Sequence, residues 1–236
     1  MRLSRNPPTD LQASWEAGVG MLNSAKSAII FSLMSMAFLL TACGGILGPA
    51  NLTDLASEAQ PSCGFVQNSY GQRVSWKQAT PILFYLDDRI TSEYEQALRD
   101  AVKTWETVIG KSFVQFERVT GIASGPTYDG VNAIYLMTDW PETLSFQQAV
   151  TNIYWVKNQI AEADIRVNVK YFQFYFNNYN SDGAVHFASL MVHELGHVLG
   201  LAHSKDLPTV MWPSLASGLV RMDPSPGDQG NIKCEY

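Results

Sequence analysis

Eleven residues at positions 193–203, His-Glu-Leu-Gly-His-Val-Leu-Gly-Leu-Ala-His, have a spacing that can hold and use a metal ion. On a helix, His193 and His197 are four residues apart and project from one face. Glu194 lies beside that face, placed to handle a proton without being a ligand. At roughly 100° per residue, a continuing helix would point His203 well away from His193. Gly200 removes that difficulty. Glycine tolerates positive φ and can end a helix in a left-handed turn, after which the chain can bring His203 back. Three neutral imidazoles and a water make a catalytic zinc site with one open position. A bare His-Glu-x-x-His occurs by chance, but Gly200 and His203 add two more fixed positions. The surrounding run FASLMVHELGHVLGL is apolar on both sides of the charged pair, as a buried helix requires.

The pattern continues past His203. Ser204 follows it directly, and Met211 comes eight residues later in Met211-Trp212-Pro213. With the three-histidine motif, this turn resembles the metzincin clan of zinc endopeptidases. Ser204 and the Met-aromatic-Pro turn are similar to its matrixin, or matrix-metalloproteinase-like, family. The resemblance implies that Met211 is a hydrophobic base under the metal site and not a ligand. It also implies hydrolysis of internal peptide bonds in proteins, with Glu194 as general base to a zinc-activated water. Some metzincins place a stabilising Tyr two positions after the turn Met, where this chain has Pro213. Animal matrixins carry a second, structural zinc and calcium sites. With four histidines in all, this chain leaves only His186 spare. A second histidine-rich zinc site is therefore excluded, and calcium remains possible without residues to place it on. His186 reads as a helix-start or core-edge residue.

The elements that must position these groups can be read upstream. PILFYLDD at 81–88 predicts a strand. In 92–110, Tyr94, Ala97, Leu98, Ala101, Val102, Trp105 and Val108 recur at helical spacing. Ser92 and Glu95 suggest a capping box, and Gly110 a stop. Further strands are expected at 111–119, 131–138, 149–157 and 163–172, the last running on into a second apolar stretch. The metal motif falls on a helix over 185–200, and 224–236 reads as a loop entering a short helix. A strand–helix–strand opening implies a parallel pair. This order resembles an α/β (α+β) metzincin domain: a five-stranded twisted mixed sheet, a backing helix, the active-site helix and a small C-terminal subdomain. In that family the antiparallel fourth strand lines the cleft as an edge. Here that edge would be Thr151, Asn152, Ile153, Tyr154, Trp155 and Val156, able to accept an extended peptide by strand addition. Leu190, Val192 and Leu215 would wall an apolar subsite after the cleaved bond.

The N-terminal part reads differently. Residues 28–40 form an apolar run behind Lys26, too short for a comfortable membrane span and suited to a signal peptide. It ends in Leu40-Thr41-Ala42-Cys43, which resembles a bacterial lipobox with Cys43 as the lipidated residue. Gly44 after it is consistent with the outer membrane of a Gram-negative cell envelope. Residues 1–20 fit no targeting signal, so translation is expected to start at Met21. The divisions are then 1–42 as extension and signal peptide, 43–62 as a flexible lipidated tether, and 63–236 as the peptidase domain.

The chain has a net charge of −6. After Cys43 it carries 13 Lys/Arg against 20 Asp/Glu with no basic patch, which argues against nucleic-acid binding. The expected partners are a protein or peptide substrate and, through the lipid alone, a membrane; a monomer is expected. With Cys43 lipidated, Cys63 and Cys234 remain as a matched pair in an oxidising setting. In the resembling fold their surroundings pack together, which favours a disulfide. Pro61-Ser62-Cys63-Gly64 also resembles part of the matrixin cysteine switch, a thiolate that blocks the metal, and both readings stay open. The other class of function is a surface-anchored protein-binding module that has lost activity, although such modules usually lose the Glu or a ligand.

Overall fold

Short runs of β-branched and aromatic residues build the sheet. In the computed structural model, which describes residues 13–16, 59–77, 81–122, 125, 127–177, 183–206 and 208–236, Ile82–Leu86 forms β2. Its residues Ile82, Phe84 and Leu86 face inward. Ser92–Ile109 forms α1, which buries Ala97, Leu98, Ala101, Val102 and Trp105, one stripe at helical period. Gly110 ends it at φ 80°, a left-handed cap that glycine adopts without Cβ cost. The expected capping box does not form. Thr91, and not Ser92, is the N-cap and makes no side-chain cap bond; its hydroxyl donates to Glu93 Oε2 at 2.6 Å, and the Glu95 carboxylate is taken by Arg99 at 2.6 Å and Arg118 at 2.7 Å.

Val114–Arg118 (β3), Ala133–Met137 (β4), Ala149–Val156 (β5) and Gln159–Asn168 (β6) complete a five-stranded mixed sheet. These five run in the order β5-β6-β4-β2-β3, and the sheet gains a sixth strand beyond β5. β2 runs parallel to β3 and β4, β4 runs parallel to β6, and β5 is antiparallel to β6. The β2–α1–β3 unit is thus the parallel pair expected from its order. β6 begins four residues earlier than its sequence suggests. It makes a hairpin with β5 across Lys157 and Asn158, with Lys157 at φ 60°, and pairing from Val156↔Gln159 onward draws 159–162 into the strand. It ends at Asn168, whose Oδ1 accepts from the Tyr171 N–H. The apolar stretch beyond gives only Phe174–Tyr175 (β7), parallel to Val185–His186 (β8).

β5 is not a free edge. Ala13–Glu16 (β1) pairs antiparallel along it, from Ala13↔Ile153 to Glu16↔Val150. An edge strand with unpaired N–H and C=O groups is a template for another strand, and here the chain supplies one. The expected signal peptide at 28–40, Cys43, the start at Met21 and most of the tether lie outside the described residues. Among the described residues no helix is long and apolar enough to cross a membrane.

The core lies between the sheet and α1 together with Phe187–Val198 (α2), every residue of which is buried. Trp105 Nε1 donates to Val192 O at 2.8 Å and joins the two helices. Pro226–Ile232 (α3) closes the chain, started by a true capping box of Ser225 and Asp228. The last residues are fastened to the segment that precedes the sheet. Cys63 and Cys234 form a disulfide, Arg73 Nε meets Glu235 Oε2 at 2.7 Å, and Tyr236 Oη donates to Leu199 O at 2.7 Å. Cys63 is therefore tied to Cys234 and offers no thiolate to the metal site.

Candidate metal centre

α2 starts at 187, two residues later than its apolar run suggests. His186 is its N-cap, and its Nδ1 accepts from Ser189 N and lies 2.7 Å from Ser189 Oγ. One helical turn separates His193 from His197, so both imidazoles leave the same face. After Val198 the chain must reverse. Gly200 adopts φ 101°, and a Cβ there would stand 2.2 Å from Val74 O. Only glycine fits. The redirected strand is then held by an extended segment: Phe65 bridges Leu201, Val66 N–H donates to Gly200 O at 2.9 Å, and Ala202 N–H donates to Gly64 O at 2.7 Å. His203 returns to the other two histidines along this guide.

The three ring nitrogens converge. His193 Nε2 lies 3.1 Å from His197 Nε2 and 3.2 Å from His203 Nε2. On their far sides, His193 Nδ1 donates to Val210 O at 2.8 Å and His197 Nδ1 donates to Leu201 O at 2.7 Å. Those carbonyls can only accept, so they fix the Nδ1–H tautomer and turn bare Nε2 lone pairs toward one another. Burial holds all three imidazoles below their ordinary basicity, His197 down to about 3, with the neighbouring rings adding to the effect at His193 and His197. Neutral lone pairs facing each other at 3.1–3.2 Å repel unless a cation lies between them. Tetrahedral ligands at 2.0–2.1 Å from zinc would stand about 3.3–3.4 Å apart, so the residues present fit that ion. Among the described residues this is the one group of three such side chains close enough to hold a metal, and calcium gains no support.

Met211 lies beneath. A Cβ on Gly196 would meet Met211 Sδ at 2.3 Å, so the glycine inside the motif makes room for the thioether. The turn is braced from α3. Asp228 Oδ1 accepts from Thr209 Oγ1 at 2.5 Å and Oδ2 from Val210 N at 3.0 Å, while Thr209 Oγ1 accepts from Met211 N. Asp228 thus sets the turn whose Val210 carbonyl orients His193. The sequence marks Asp228 only as part of a terminal helix, and nothing local to Thr209 signals its role.

Glu194 is 1% exposed. Burial pushes its carboxyl up to about 7, opposed by a hydrogen bond from Thr151. That bond, Thr151 Oγ1 to Glu194 Oε2 at 2.5 Å, joins β5 to α2. The other β5 candidates divide by strand alternation. Ile153 and Trp155 face the core with Thr151. Asn152 accepts from Arg166 Nη2 at 3.1 Å, Tyr154 packs on Tyr128 and Val156 is exposed. Leu190, Val192 and Leu215 are all buried in the core cluster.

A family model for matrixin, the M10 peptidases, matches residues 155–234. That span takes in β6, α2, the Met211 turn and α3. Over that span the chain is similar to the matrixins, a family of metallopeptidases. No curated protein matches the chain.

Proposed function

We propose that the protein is a zinc-dependent endopeptidase, anchored by lipid at a bacterial cell envelope. The observation that carries the reading is the meeting of three Nε2 lone pairs beside one buried carboxyl, Glu194. Zinc bound there would supply Lewis-acid activation of a water and of the scissile carbonyl. The residues do the rest. Val210 O and Leu201 O hold two imidazoles in the binding tautomer. Glu194 takes the proton of the attacking water and passes it to the leaving amide nitrogen. The β5 backbone aligns an extended substrate by strand addition. In support of this, the chain's own β1 pairs with β5 in the antiparallel sense. A start at Met21, or cleavage before a lipidated Cys43, leaves residues 13–16 out of the mature protein and that edge open for substrate.

Digestion of a protein mixture by the purified protein tests the activity. Internal cleavages that disappear with chelator and return with zinc are expected, and binding without any cleavage would leave the inactive-module reading. Labelling with a fatty-acid analogue tests the anchor. Incorporation should vanish in Cys43→Ala, and a soluble, unlabelled wild type would overturn it.

A further inference from the structure

Thr151 belongs to a strand expected to meet substrate through its backbone, yet its side chain turns the other way. It is fully buried, with Oγ1 2.5 Å from Glu194 Oε2 and 3.4 Å from Glu194 O. We propose that Thr151 is a positioning residue for Glu194: its hydroxyl holds Oε2 so that the carboxylate presents Oε1 to the reacting water. This rests on the reading of Glu194 as general base.

A glutamate side chain has three torsions, and most of its rotamers would miss the metal site. One hydroxyl carries one hydrogen, and the carboxylate can only accept it. The separation is in the short, charge-assisted range. The donor itself is rigid. β-Branching restricts the Thr151 χ1, and its backbone is registered with Ile165 of β6. Glu194 is equally fixed by the middle of α2. Among the described residues the hydroxyl of Thr151 meets Oε2 and not Oε1, so the two oxygens are unlike. Packing alone does not ask for a hydroxyl here. The same inward side of β5 carries Ile153 and Trp155, and a valine would fill the space with the same shape.

The test is a set of variants in the processed, zinc-loaded protein, assayed on a quenched fluorescent peptide containing a site found in the digest. Thr151→Val and Thr151→Ala remove the donor, and Thr151→Ser keeps it. Val and Ala should lower kcat by roughly 10- to 100-fold, the scale of a hydrogen bond to a charged group. KM, zinc content and the thermal midpoint should stay near wild type, and Ser should recover most of kcat. In a Glu194→Ala background, Thr151→Val should change the residual rate little, because the two act as one unit. A wild-type kcat in Thr151→Val, a loss in Ser equal to that in Ala, or a change confined to KM would each overturn the proposal. If Val misfolds, the Ser and Ala pair still differ by the hydroxyl alone. An inactive wild type defeats the general-base reading and this one with it, whereas an active wild type with an equally active Thr151→Val defeats only this one.

Discussion

The β5–β6 hairpin buries carboxyl groups on both of its faces and treats them differently. On the side of α2, Glu194 takes a hydroxyl donor from Thr151 and directly follows His193, one of the three converging imidazoles, in the helix. On the other side, Glu162 and Asp164 sit two residues apart on β6, both fully buried. Glu162 Oε2 accepts from the Asp129 and Gly130 backbone, and Asp164 Oδ1 from Ala133 N. Each keeps one oxygen, Glu162 Oε1 and Asp164 Oδ2, with no partner among the described residues. Burial pushes both up, Glu162 to about 7 and Asp164 to about 8; Asp129 adds to both, and Glu162 adds to Asp164. Similar displacement from the ordinary carboxyl range therefore marks two kinds of site. The first has convergent ligand nitrogens and a positioned donor. The second has crowded like groups that the fold keeps protonated. Geometry around the carboxyl separates them, and the size of the shift does not.

The sharpest way to break this contrast is to remove the carboxyl on the α2 side. Glu194→Ala should lose at least ~100-fold in rate, the lower end for general acid–base catalysis, while zinc content stays at wild type because the imidazoles are untouched. Its fold should be no less stable, since a buried carboxyl is gone. Rate and metal analysis on one preparation check both, and a normal rate would place Glu194 in the same class as Glu162.

A smaller effect is expected from the ligand that the chain brings back from outside the helix. His203→Ala should weaken zinc by at least roughly 10- to 100-fold, a loss that altering outer partners alone can cause. Competition with a chromogenic chelator measures it. Undiminished affinity would mean that two helical histidines suffice, and that the Gly64–Val66 guide serves only the fold.

Much of the metal side was legible in eleven residues, because ligand chemistry demands particular side chains at particular offsets. Gly200 was readable for the same reason: only one residue type fits a left-handed turn against Val74 O. The opposite face was not. Glu162 and Asp164 look like ordinary polar positions in an alternating strand, and their backbone partners at Asp129, Gly130 and Ala133 lie 31 to 33 positions away. Thr151 reads as plain β propensity, since its partner is 43 positions away. The supposed capping box failed because the helix takes Thr91 and not Ser92 as its N-cap, which leaves Glu95 one position too far along, where it pairs with Arg118 across 23 residues. Boundaries followed pairing and not composition, as the early start of β6 shows. The disulfide and the switch were both compatible with Pro-Ser-Cys-Gly, and only the approach of the C-terminal segment separates them.

The last and smallest effect lies on the far face. Carboxyls whose folded pKa values are raised bind more protons in the native state than in the unfolded chain, where they titrate near 4. Their stabilising contribution is complete below about pH 4 and is lost as pH rises through the folded values of about 7 and about 8. Asp164→Asn keeps the Oδ1 acceptor for Ala133 N, cannot ionise, and can donate from Nδ2 toward Glu162. Relative to wild type it should gain stability as pH rises, because the wild type must ionise a buried Asp164 beside Glu162 and the variant does not. Denaturant unfolding of both proteins at pH 5 and pH 8.5 gives the comparison. Catalytic rate should not follow this change, because the sheet separates Asp164 from Glu194. A difference between variant and wild type that is the same at both pH values would mean that Asp164 ionises freely in the fold, and the two faces would then differ in position without differing in chemistry.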